Sequence, residues 1–128
     1  MAEIKRIYKC EVCGNIIEVI LANDGDLTCC NKKMNLLEEK TSDQEGNEKH
    51  SPVIESNEEK IKIKVGSIEH PMEKEHFIEF IELHVNEEVH RKMLSPGMPS
   101  EVEFCVPKAE GQIYARAYCN VHGLWKSS

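Results

Sequence analysis

Four cysteines lie in an N-terminal stretch too short to build a core of its own. Cys10-Glu11-Val12-Cys13 is a Cys-x2-Cys knuckle, and Cys29-Cys30 follows after residues 14–28. A unit of that size is normally held together by disulfides or by metal. The expected compartment is the reducing cytoplasm, where disulfides are disfavoured and clustered cysteines point to metal or redox chemistry. The knuckle brings two thiolates to one ion from a tight turn, and Gly14 can take the left-handed position after it. Four thiolates complete a tetrahedral shell that suits zinc or iron, and spacing alone leaves both open. The second pair is adjacent rather than spaced. Neighbouring ligands distort the tetrahedron, which favours a redox iron centre over a purely structural zinc.

The stretch Glu38–Asn47 is polar, ends in Gly46-Asn47, and reads as a linker. The expected organisation is therefore a metal domain over 1–37, a linker over 38–47 and a second domain over 48–128. Residues 1–37 carry five basic and five acidic side chains, so the net charge of −7 belongs to the rest. That acidity argues against a nucleic-acid partner. No membrane span and no secretory leader are expected, because no long apolar block is present and none follows Met1–Arg6.

After the linker the pattern has period two. Lys60-Ile61-Lys62-Ile63-Lys64-Val65 alternates cleanly, and Glu101–Phe104, Ile113–Tyr118 and Phe77–Val85 read as further strands. Asn86–Leu94 is the one segment expected to be helical. Short strands divided by Pro71, Ser95-Pro96-Gly97 and Pro99 predict a mainly β fold, an antiparallel β-sandwich.

Cys119-Asn120-Val121-His122 sets a thiolate and an imidazole within reach of one ion from one loop, with Gly123 for the turn and Trp125 as an anchor. His50, His70 and His76 add further imidazoles. A blue-copper site also uses histidines and a cysteine on a β-sandwich, but it adds an axial methionine, and none follows His122. His84 reads as a partly buried structural residue and His90 as an exposed one. Cys105 reads as a small core residue, Met93 and Met98 as packing.

Taken in order, several blocks resemble the desulfoferrodoxins, the two-iron class of superoxide reductases. They are Tyr8–Asn15, Cys29-Cys30-Asn31, Glu48–Glu55, His70-Pro71-Met72-Glu73, His76 and Ala115–Trp125. They span nearly the whole chain, with no departure at a ligand position. The resemblance implies a desulforedoxin-like (rubredoxin-like) domain with iron on Cys10, Cys13, Cys29 and Cys30. It implies an immunoglobulin-like sandwich with a second iron on His50, His70, His76, His122 and Cys119, the imidazoles equatorial and the thiolate axial.

The implied activity is one-electron reduction of superoxide to hydrogen peroxide, fed by a small donor such as rubredoxin, in a homodimer. The alternative is an iron electron-transfer protein without catalysis. By the same resemblance Lys49 attracts the anion and Glu48 ligates the oxidised iron. One lysine at ~6 Å and an effective dielectric of about 20 contributes roughly 3 kcal/mol toward an anion. Surface charges ~20 Å away through salty water contribute far less, so the net acidity does not repel the substrate from the site.

Overall fold

The computed structural model describes residues 5–41, 46–57, 59–106 and 112–127. The chain divides into two compact units, Met1–Glu38 and Glu39–Ser128. In the first, β1 (Ile7–Lys9) runs between β2 (Ile16–Glu18) and β5 (Asn35–Leu36), both antiparallel to it. A small hairpin pairs β3 (Thr28–Cys29) with β4 (Lys32–Lys33). The buried apolar side chains described here are Ile7, Tyr8, Cys10 and Val19. So little core cannot hold the unit by hydrophobic burial alone.

In the second unit the first helix or strand is a single helical turn, α1 (Asn47–His50), followed by β6 (Pro52–Ser56) and β7 (Ile61–Val65). Then come β8 (Ile78–Val85), β9 (Glu88–Met93), β10 (Glu101–Phe104), β11 (Ile113–Cys119) and β12 (Gly123–Lys126). They form two antiparallel sheets, of order β10-β7-β6 and β12-β11-β8-β9. Between the sheets lies one apolar core, with Ile61, Ile63 and Val65 facing Ile81, Leu83, Ala115 and Ala117. This is the immunoglobulin-like β-sandwich expected.

The lysines alternating with Ile61 and Ile63 stay at the surface and pair across the sheet. Lys62 reaches Glu101 at 2.9 Å and Lys64 reaches Glu55 at 3.6 Å. On β8 the other face is buried as well. Glu82 and His84 there are 0% and 1% exposed. Glu82 accepts hydrogen bonds from Arg116 Nε at 2.7 Å, Arg91 Nε at 2.7 Å and His84 Nε2 at 2.9 Å. Burial pushes this carboxyl up, but His84 and the two guanidiniums outweigh it and hold the pKa down to about 2.

Five expectations are corrected. Asn86–Leu94 is not helical: Glu88–Met93 forms the edge strand β9, paired with β8 from Phe80↔Met93 to Val85↔Glu88. Asn86, at φ 54°, makes the tight turn between them. Cys105 is exposed rather than a core residue. Met93 and Met98 are 67% and 42% exposed and are not core packing. His84 is fully buried, and His90 is half-buried on a strand. Residues 42–45 of the expected linker lie outside the described residues. Lys40, within the same stretch, bridges in parallel to Trp125 of the sandwich.

Candidate metal centres

In the first unit the Sγ atoms of Cys10, Cys13, Cys29 and Cys30 all lie within 4.8 Å of one another. Cys13 Sγ is 3.6 Å from Cys29 Sγ, and Cys29 Sγ is 4.0 Å from Cys30 Sγ. Four sulfurs about 2.3 Å from one ion in a tetrahedron are ~3.8 Å apart, so the cluster has the dimensions of a filled shell. Gly14, at φ 83°, closes the knuckle by donating its N–H to the Cys10 carbonyl at 2.9 Å. The adjacent pair has its backbone cost: Cys30 and Asn31 both sit in the left-handed region, at φ 53° and 60°.

The thiols cannot all ionise unaided. The Cys13 backbone N–H lowers Cys10 to about 6, whereas hydrogen bonding with Cys13 raises Cys29 to about 12. Cys30 is raised for the same reason. A cation at the centre removes this conflict.

The second cluster draws on three separate segments. His50 ends α1, His70 and His76 lie in the loop between β7 and β8, and Cys119 and His122 flank the β11–β12 turn. Their ring centroids form a square. Adjacent separations are 4.7 Å (His50–His70), 4.7 Å (His70–His76), 5.0 Å (His76–His122) and 4.6 Å (His122–His50). The His50–His76 diagonal is 6.4 Å. Cys119, 0% exposed, comes from the core side, and its Sγ is 3.8 Å from His122 Nδ1.

Hydrogen bonds select the inward nitrogen of two rings. His50 donates Nδ1–H to the Gly46 carbonyl at 2.9 Å, and His70 donates Nδ1–H to the Pro71 carbonyl at 2.7 Å. That leaves both Nε2 lone pairs facing the cluster. The Nε2 atoms of His70 and His76 are buried with no hydrogen-bond partner. Orphaned imidazole nitrogens at the centre of a square are what a metal would satisfy. Burial lowers His70 to about 4 and also lowers His50 and His122, so these rings are neutral donors at pH 7. Burial raises the Cys119 thiol, opposed by the N–H groups of His122 and Val121.

The loops are pinned by further contacts. Asn120 Oδ1 accepts the Phe77 N–H at 3.0 Å, and its Nδ2 donates to the Glu75 carbonyl at 3.1 Å, which fixes the segment carrying His76. Gly123, at φ 88°, makes the turn, and Trp125 Nε1 donates to the His122 carbonyl at 3.1 Å. Trp125 also stacks on His50 at 4.9 Å. Gly66 is required by close packing. A Cβ there would overlap the Glu48 carbonyl oxygen and sit 2.6 Å from Lys49 C and 2.8 Å from Lys49 Cα.

Glu48 and Lys49 are exposed on α1, directly before His50. Lys49 lines an open hollow of about 630 Å³ with Glu69, His70, Pro71, Met72 and Met98. Sequence reasoning missed Gly66, Lys40 and the two carbonyls that orient His50 and His70. Gly46, four residues before His50, was the signal within reach for one of those carbonyls.

A desulfoferrodoxin sequence profile matches residues 42–128, and the profile of the desulfoferrodoxin N-terminal domain matches residues 2–37. The chain belongs to the desulfoferrodoxin family. It is 53% identical over 127 residues to a desulfoferrodoxin homologue of Archaeoglobus fulgidus, covering 99% of both chains. It is 52% identical to a desulfoferrodoxin of Syntrophotalea carbinolica, covering 99% of this chain and 98% of the other. The superoxide reductase of Treponema pallidum has a similar structure, with a TM-score of 0.78 and 27% identity over 96% of this chain and 97% of that one. The first unit is thus the desulforedoxin-like domain of the family, and the chain is an oxidoreductase.

Both clusters fit iron. The four-cysteine set fits an Fe(Cys)4 site, and the square of imidazoles with one thiolate fits an Fe(His)4(Cys) site. Five donors in that arrangement exceed the tetrahedral shell of structural zinc and differ from the His2Cys trigonal set of blue copper. No helix among the described residues is long and apolar enough to cross a membrane.

Proposed function

We propose that the histidine–cysteine centre reduces superoxide to hydrogen peroxide. One superoxide takes up one electron and two protons to give one hydrogen peroxide, and an external donor replaces the electron. The observation that carries this reading is the square of four imidazoles over a buried thiol, with its His122 edge exposed to solvent. The resemblance to proteins called superoxide reductase supports it.

In this reading His50, His70, His76, His122 and Cys119 would together hold the iron. Iron bound there supplies a one-electron couple whose electron richness the thiolate increases. Lys49 draws the anion toward the exposed edge. Glu48 would offer its carboxylate to the oxidised iron. Cys10, Cys13, Cys29 and Cys30 hold the other iron.

The domains are 1–37 and 48–128, joined by 38–47. The donor is a small rubredoxin-type protein. Two chains associate as a homodimer, a reading supported by Ile20 and Leu21, which are 75% and 79% exposed. The compartment is the cytoplasm, in keeping with six cysteines that are all free thiols.

Counting products tests the reaction. With donor in excess, each superoxide consumed yields one hydrogen peroxide and no dioxygen. Half a peroxide per superoxide, with dioxygen released, would mean dismutation and would overturn the proposal.

A further inference from the structure

Lys40 lies outside every motif that carries the resemblance, yet it contacts a residue of the histidine–cysteine cluster. Its ammonium donates to the His122 carbonyl at 2.9 Å. Trp125 Nε1–H donates to the same oxygen at 3.1 Å, so that one carbonyl has two fixed donors, one of them charged. The ammonium also lies 5.6 Å from the Trp125 ring, and that ring stacks on His50. Lys40 therefore reaches two corners of the square, His122 directly and His50 through Trp125.

The lysine is held in place from its own backbone. Lys40 N–H donates to the Leu124 carbonyl at 2.9 Å, and Lys126 N–H donates to the Lys40 carbonyl at 2.8 Å. Its neighbour Glu39 is tied to buried Arg116 at 3.3 Å. A side chain fixed at both its backbone and its tip keeps its charge at a constant place. A free surface lysine does not, because rotamer averaging and water dilute its field.

We propose that Lys40 is a positioning residue of the histidine–cysteine centre: it holds the His122 end of the β11–β12 turn and supplies a fixed positive charge beside it. Two consequences follow. The carbonyl clamp sets the direction of the His122 ring relative to Cys119. The charge disfavours the extra positive charge the centre acquires on oxidation, and so raises its midpoint potential.

The inference rests on iron occupying the five-residue cluster, and iron analysis of the wild-type chain tests that reading separately. The experiment compares the two-iron wild type with Lys40→Met, Lys40→Gln and Lys40→Arg. The midpoint potential of each iron is read by redox titration, and the thiolate-to-iron absorption band by visible spectroscopy. Lys40→Met should lower the midpoint of the histidine–cysteine iron by the equivalent of about tenfold, ~59 mV for one electron, and shift its band. The four-cysteine iron should be unchanged, as an internal control.

Lys40→Gln keeps a neutral donor, so it should lower the midpoint while leaving the band closer to wild type. Lys40→Arg should restore most of both. Wild-type midpoints in both neutral variants would overturn the proposal, as would an arginine variant no better than methionine. Should Lys40→Met not fold, the glutamine and arginine variants decide the same question.

Discussion

His50 Nε2 lies 3.1 Å from His122 Nδ1. With Nδ1 of His50 already given to the Gly46 carbonyl, this close approach presents two ring nitrogens to one point. Two nitrogens about 2.1 Å from a common ion and at right angles are ~3.0 Å apart, so the spacing is that of neighbouring ligands. The sequence separates these residues by most of the second unit. The β11–β12 hairpin and the α1 turn bring them together.

The α1 turn owes its position to Gly66. Gly66→Ala forces a methyl group into the backbone of Glu48 and Lys49, which cannot yield as a flexible side chain would. The expected cost is about 1–3 kcal/mol of stability. Displacing His50 should also weaken iron retention at the histidine–cysteine centre while the four-cysteine spectrum stays intact. Melting and metal analysis together check this; a variant that retains both irons and the wild-type melting temperature refutes the packing argument.

Lys49 is exposed, so its charge acts on the approach of an anion rather than on folding. Lys49→Ala should keep both iron spectra and slow the bimolecular reaction with superoxide about tenfold, with a weaker dependence on ionic strength. Unchanged kinetics would remove its attracting role. Glu48→Ala should leave that first step intact and alter the ferric spectrum, and an identical ferric spectrum would exclude glutamate ligation.

Much of the chemistry is legible in the sequence because ligands are chemically rare and their spacing is short. The core strands are legible where one face is buried, as at Ile61, Ile63 and Val65. Strand β9 is not, because it is an edge strand with Arg91, Lys92 and Met93 exposed, and nothing enforces alternation there. Its real signal was Asn86, a residue suited to the left-handed turn. Cys105 misleads for a similar reason: it follows buried Phe104 but lies beyond the end of β10. Gly66 and Lys40 are invisible because each acts on a residue distant in sequence.

Glu82 makes the sandwich sensitive to acid. Its folded-state pKa of about 2 lies below the unfolded value of about 4.3. The stabilisation is therefore complete above the unfolded value and is lost as pH falls through the folded one. Glu82→Gln removes the buried charge that pairs with Arg116 at 2.7 Å and leaves that guanidinium only the longer contact to Glu39 at 3.3 Å, at an expected cost of about 3 kcal/mol at neutral pH. The variant should also lose the part of the wild type's acid sensitivity that falls between those two values. Parallel stability curves for the two proteins from pH 5 to pH 2 would disprove this linkage.

Metal removal should affect the two units unequally. The first unit has few buried apolar residues, whereas the sandwich has the continuous core between its sheets. Stripping iron should unfold residues 5–38 and leave the β8 and β11 amides protected from hydrogen exchange. Retained amide protection of β1 in the metal-free chain would show that the four-cysteine site is not what holds that unit.

The most direct measurement is a pulse of superoxide delivered anaerobically to the ferrous protein, with the thiolate-to-iron band followed in time. Oxidation should be second order overall, first order in superoxide, and far faster than in air-saturated buffer. In Cys119→Ala the band should be absent and the fast phase lost. Oxidation no faster than in air, or an undiminished fast phase without Cys119, would contradict superoxide reduction at that centre.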